Sequence, residues 1–167
     1  MDPRRARSGF TLVELLIVVV ILGILAGIVL PQFQSTAEEA RQTVFVHDLR
    51  VFVEQAILCM ERTGTVVPDS SSGQEPGGEY STYIDLDTWT DPTPLGGVWD
   101  SEWNSFGVWS AVGVHFQSDP VPDASVLAAV DDVIDDGDVT TGAFRQLASD
   151  RVYFVIQEVQ TVYGPPP

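Results

Sequence analysis

The sequence predicts an α+β protein: a long N-terminal helix, membrane-spanning in its first half and amphipathic in its second, packed on a small C-terminal antiparallel sheet. Three observations predict it. Residues 10–30 form an apolar run, apolar residues continue at helical spacing to residue 63, and the remaining chain breaks into short runs rich in β-branched and aromatic residues. At 167 residues the chain is long enough for a small domain on an anchor.

The apolar run opens on "RSGFTLVELLIVVVILG", Arg7 to Gly23. Leu15 to Leu30 are sixteen residues without a charge, and counting from Phe10 gives twenty-one. At roughly 1.5 Å per residue such a helix spans about the 30 Å of a bilayer's hydrocarbon. Arg4, Arg5 and Arg7 precede it, so the positive-inside bias keeps the first residues in the cytoplasm and sends the rest across. An ordinary secretory signal ends beside small residues spaced as Ala-x-Ala, whereas this run ends in "GILAGIVLPQF". The small, flexible Gly9, ahead of the run, is the alternative place for a cut, which would expose Phe10 as a new terminus.

Glu14 is the anomaly of this segment. A carboxylate at the centre of a membrane helix costs roughly 2.5–3.5 kcal/mol, less toward the ends, so a compensating charge is expected. Glu14 is four residues from Phe10, about 6 Å along a helix, within reach of a new amino group and of the positive end of the helix dipole. The ammonium of a neighbouring subunit is the other partner. Further along, Gly23, Gly27 and Pro31 punctuate the helix, and Pro31 predicts a kink or loosened stretch just before it.

"GFTLVELLIVVVILGILAGIVLPQF", Gly9 to Phe33, closely resembles the amino-terminal signature of type IV pilins and type II secretion pseudopilins. The resemblance implies a basic leader, residues 1–9, removed by a prepilin peptidase between Gly9 and Phe10, and methylation of the Phe10 amino group. It implies a pilin-like fold with a transmembrane and filament-core helix over 10–30, an amphipathic extension over 31–63 and an extracytoplasmic head over 64–167. It also implies storage in the inner membrane, an assembly platform there, and packing with itself or homologous pilins in a filament, where Glu14 sets register. Either a type II secretion pseudopilus or a type IV pilus fits. The absence of a cysteine pair, Cys59 being alone, leans toward the pseudopilin side.

Beyond "PQFQSTAEEARQ", Phe45, Leu49, Phe52, Val53, Ala56, Cys59 and Met60 fall on one helical face, with His47, Arg50, Glu54 and Glu61 opposite. Cys59 and Met60 are read as packing. "TGTVVPDSSSGQEPGGEYS" reads as an exposed connection. Strands are expected in "TYIDLDTW", "FGVWSAVGVHF" and "RVYFVIQEV", and "DPTPLGGVWDSEW" reads as a turn-rich loop. "DASVLAAVDDVIDDG" is a second helix, with Val126, Leu127, Val130, Val133 and Ile134 on one face, Asp123 as N-cap and Gly137 as stop.

Charge and motifs narrow the function. Net charge is −16 and all eight basic residues are arginine, which leaves no clustered positive surface for nucleic acid. His47 and His115 stand apart, with no metal spacing and no nucleophile motif, so no catalysis is expected. Asp132, Asp135, Asp136 and Asp138, with Asp131 beside them, crowd the end of the second helix as candidate calcium ligands, a site that the family resemblance also implies. They lack the EF-hand spacing, and neutralisation by Arg145 or Arg151 is the alternative. A signal-anchored extracytoplasmic domain that binds a ligand and never polymerises is the rival functional reading.

Overall fold

The structure, a computed structural model, describes residues 10–158, in two compact units that meet in sequence at Ala40 and Arg41. In chain order the elements are α1 (Leu12–Thr63), a 3-10 turn (Gly78–Thr82), α2 (Leu86–Thr90), β1 (Val98–Ser105), β2 (Val108–His115), α3 (Ala124–Ile134), β3 (Phe144–Ala148) and β4 (Arg151–Glu158). In the first unit, α1 exposes its apolar side chains from Phe10 to Leu30. The helix runs without a break through Gly23, Gly27 and Pro31. A Cβ at Gly23 or Gly27 would meet nothing within 4 Å, so packing within the chain does not require glycine at either.

In the second unit the same helix behaves differently. Phe45, Val46, Leu49, Phe52, Val53, Ala56 and Cys59 are buried, while His47, Arg50, Glu54 and Glu61 remain exposed, as the helical spacing predicts. Their core partners are Trp99, Val112, Val114, Phe144 and Val152 of the sheet, Trp89 of α2, and Leu127 and Val130 of α3. Each large apolar side chain buried there contributes about 1.5–3 kcal/mol of transfer free energy. Aromatic rings form the centre: Phe45 stacks on Trp99 at 5.4 Å, and Phe52 stands edge-on to both Trp99 and Trp89 at 4.9 and 5.0 Å. The Tyr80 hydroxyl donates to the Phe52 carbonyl at 2.9 Å, which satisfies a buried polar atom.

The four strands form one antiparallel sheet in the order β1-β2-β4-β3. Strands β1 and β2 are joined by Phe106 and Gly107, both at positive φ (49° and 80°), the geometry of a tight hairpin turn. That turn lies where the sequence predicted strand, because turn formation outweighs the strand preference of phenylalanine once Ser105 pairs with Val108. Register shifts on either side of Ser110 mark an irregularity in the β2–β4 ladder and end the strict alternation read from the sequence.

Other expectations are corrected as well. "TYIDLDTW" forms no strand and ends in a helix: Asp85 caps α2 by accepting from the Asp87 N–H at 3.1 Å, and the turn sends Trp89 into the core. The supposed loop "DPTPLGGVWDSEW" contains most of β1, and β3 was missed; both carry polar residues at sheet positions, which hides the alternation. The connection after α1 is pinned, with Val67 buried and the Ser70 and Gly73 N–H groups bonded to the Ser101 and Trp99 carbonyls. Asp123 precedes α3 without a side-chain cap bond; its carbonyl accepts from Val126 and Leu127 instead. The helix ends at Ile134, with Asp135 rather than Gly137 at its C-cap, and Val133 faces solvent.

Candidate functional site

The start of α1 is built by its own sequence. Thr11 stands before the first helical residue, and the Glu14 N–H donates to Thr11 Oγ1 at 3.2 Å. In return Glu14 Oε2 accepts from the Thr11 N–H at 2.9 Å and from the Thr11 hydroxyl at 2.8 Å. This reciprocal pair is a capping box, and its signature, Thr-x-x-Glu at residues 11–14, was present in the sequence but missed there. It holds the carboxylate at the positive end of the helix dipole, with both bonds from Thr11 on one oxygen. Phe10 is exposed. Gly9 and the leader, residues 1–9, lie outside the described residues, as does Val159 at the other end.

The acidic turn after α3 is the second candidate. Carboxylate oxygens of Asp131, Asp135 and Asp136 lie within 4.8 Å of one another. Sequence reasoning chose Asp132, Asp135, Asp136 and Asp138; among the described residues Asp131 joins the group, and Asp132 and Asp138 do not. Helix geometry explains the exchange. Asp131 turns inward with Leu127 and Val130 and is fully buried, whereas Asp132 is exposed and Asp138 accepts from the Thr140 N–H and hydroxyl at 3.0 and 2.6 Å.

Neither oxygen of Asp131 has a hydrogen-bond partner. Burial first, then Asp136 and Asp135, push its carboxyl up to about 6. The Asp135 carboxylate accepts from the Ala143 N–H and lies where a side chain on Gly142 would be. Asp136 accepts from the Asp138 N–H and the Thr141 hydroxyl. The expected arginines are elsewhere: Arg145 pairs with Glu158, and Arg151 with Asp100 and Glu102. This oxygen-only donor set, with one buried carboxylate unpaired, fits a hard divalent cation such as calcium.

Comparison with known proteins adds to this geometry. Residues 4–30 match the prokaryotic N-terminal methylation motif. The type II secretion system core protein G of Pseudomonas aeruginosa is 40% identical over 72 residues, covering 43% of this chain and 50% of that protein. A fimbrial protein of the same species is 46% identical over 57 residues, covering 32% and 37%. The core protein G of Aeromonas hydrophila is 30% identical over 105 residues, 53% of this chain and 72% of the relative. The chain belongs to the type IV pilin and pseudopilin family. The Aeromonas relative shows the membership, and the methylation motif and the long helix on an antiparallel sheet agree with it.

The pilin-family chain spans about half the length of the Pseudomonas and Vibrio core G proteins it matches. No solved structure matches it. The family is a structural one, in keeping with the absence of a catalytic motif in the sequence. Its methylation motif ends where the apolar run does, at Leu30, so the motif, the capping box and the exposed apolar surface belong to one segment of this pilin-family protein.

Proposed function

We propose that this chain is a structural subunit of a thin extracytoplasmic fibre, the pseudopilus of a type II secretion system or a type IV pilus. A prepilin peptidase removes residues 1–9 between Gly9 and Phe10, and the Phe10 amino group is methylated. Before assembly the segment over 10–30 holds the precursor in the inner membrane with its N-terminus cytoplasmic and its head, residues 64–167, outside. The assembly platform then extracts it and packs it with homologous subunits in a periplasmic or surface filament.

One observation carries this reading: from Phe10 to Leu30 α1 leaves its apolar residues exposed, with Glu14 the one charge among them. Lipid covers such a surface before assembly, and other copies of the same surface cover it afterwards. Glu14, paired with the ammonium of an adjoining copy, marks register, because a mismatched subunit leaves both charges buried and uncompensated. Gly23, Gly27 and Pro31 are the positions where the helix loosens on packing.

Mass spectrometry of the mature terminus, together with shearing of cells and ultracentrifugation, tests the proposal. N-methyl-Phe10 in pelleted filaments is the expected result. A functional protein that keeps Met1, or one that stays with membranes as a monomer, overturns it; the second outcome is the signature of a non-polymerising, ligand-binding anchor.

The head is further proposed to hold calcium with Asp131, Asp135 and Asp136. The buried, unpartnered carboxylate of Asp131 favours this reading, since a cation would supply the charge that the protein does not. Calorimetry of the full chain in detergent is expected to show binding, and no heat at millimolar calcium overturns the site.

A further inference from the structure

The segment that follows α3 returns past the end of that helix. Residues 135–143 leave α3, turn, and enter β3 at Phe144. Its far end is tied to the sheet: the Ala143 carbonyl accepts from the Val155 N–H at 2.7 Å, and the Val139 carbonyl accepts from the Gln146 N–H at 2.8 Å. Its near end is tied to α3, where the Asp135 N–H donates to the Asp131 carbonyl at 2.6 Å. Two carboxylates bridge the ends, Asp135 accepting from the Ala143 N–H and Asp136 from the Thr141 hydroxyl at 2.9 Å. Asp131, fully buried and with neither oxygen partnered, has an oxygen within 4.8 Å of each of them.

Gly142 lies against both bridging carboxylates. A Cβ there would be 2.7 Å from Asp135 Cγ and 3.3 Å from Asp136 Oδ2, with Asp135 Oδ2 nearer still. Non-bonded carbon atoms settle at about 3.5–4.0 Å, so Asp135 and a side chain at residue 142 cannot share this space. Three consecutive residues thus offer the two aspartates the Thr141 hydroxyl, a bare Cα and the Ala143 N–H. The Ala143 carbonyl is fixed on β4, which holds the backbone in place. The Asp135 side chain turns about its own rotatable bonds, so its carboxylate is the group that a side chain at residue 142 displaces.

Backbone conformation and space are separate demands on glycine. Gly142 has a φ of 71° and Gly137, in the same loop, a φ of 82°, so both are in the left-handed region where a side chain brings strain. Nearest to a Cβ at Gly137 is Asp132 Oδ1 at 3.5 Å, an ordinary contact with a residue outside the proposed ligand set. Of these two glycines, Gly142 alone shares its space with a ligand.

We propose that Gly142 is a positioning residue of the calcium site: its missing side chain is the space from which Asp135 presents its carboxylate alongside Asp131 and Asp136. The inference rests on the calcium reading above for its consequence in binding, and on the geometry of the metal-free chain for its cause. A hard cation is held by the number and charge of its oxygen ligands. Displacing Asp135 leaves two carboxylates of three, with Asp131 still set by the turn of α3, so binding weakens while the buried ligand stays where it is.

Two measurements on the full chain in detergent micelles test the role. In the metal-free chain, amide exchange by NMR reads the bond from Ala143 to Asp135, with the β1–β2 ladder amides as reference. Protection of the Ala143 amide is expected to fall about fivefold in G142A and as far in D135A, to stay within a factor of about two in G137A, and to be no lower in D135A/G142A than in D135A. Unchanged protection in G142A overturns the positioning role, as does an equal fall in G137A or a further fall in the double variant. Calorimetry with calcium chloride then reads the site: G142A is expected to bind about tenfold more weakly than the parent, and G137A as the parent does. Equal affinity in G142A and the parent overturns the proposal and leaves the calcium site standing, whereas no heat in the parent overturns the site and the proposal with it.

Discussion

The two halves of α1 have similar backbones and opposite fates. From Phe10 to Leu30 the side chains are almost uniformly apolar, and they are exposed. From Arg41 to Thr63 apolar and polar residues alternate at helical spacing, and the apolar ones are buried among aromatic rings. An all-round apolar helix has no solvent face and is completed by a medium or by other chains, whereas a striped helix is completed by its own domain. Apolar residues therefore serve folding in one half and, in the proposed function, assembly in the other.

The largest effect expected from this contrast is at Glu14. Glu14→Ala should insert and be processed, with the head melting as in the parent, while sheared filament yield falls at least tenfold; normal yield would erase the assembly role of the first half. Next is the buried half: Phe52→Ala should cost about 3–5 kcal/mol, read from denaturant unfolding followed by tryptophan fluorescence, whereas Leu16→Ala should leave that curve unmoved. Equal effects from the two substitutions would dissolve the distinction.

Asp131 sharpens the contrast, since it is a polar group buried within the folding half. With its carboxyl raised to about 6, the cost of charging it in the fold grows as pH climbs from its ordinary range near 4 through 6. Asp131→Asn should therefore raise the melting temperature at pH 7.5 without divalent ions, by about 5 °C, and abolish stabilisation by calcium. A smaller pH effect belongs to Glu102, which is buried and whose carboxyl burial pushes up. Its contribution is fully present below the ordinary carboxylate range and is lost as pH rises past it, so the melting temperature without calcium should decline as pH rises from that range, with a shallower slope in Glu102→Gln. The smallest effect is at the capping box, where Thr11→Ala should cost about 1 kcal/mol of local helix stability, visible as faster amide exchange in the first turn of α1 and nowhere in the head.

Much of this was legible because it depends on local order in the sequence. The stripe from Phe45 to Cys59 names its own buried face, and β2 and β4 show themselves by β-branched and aromatic runs. Strands β1 and β3 were not legible, because Asp100, Ser101 and Glu102 occupy sheet positions that are buried only through partners distant in sequence. Asp131 was passed over as a ligand for the same reason: four more aspartates follow it within seven residues, and only the turn of α3 distinguishes the one that points inward.

The sequence by itself determined the apolar span, the capping pair of Thr11 and Glu14, the motif that places the chain in its family and the face of α1 that the head covers. Each depends on spacings of a few residues along one helix, where backbone geometry alone fixes which side chains are neighbours. Tertiary structure alone decided which carboxylates are buried and what meets them: Asp131 against Asp135 and Asp136, and Asp100 and Glu102 against Arg151, with His115 joining Ser72 to Asp150. Those pairings close loops of tens of residues, and the energy of a charge depends on what surrounds it in space, which the order of residues along the chain does not state.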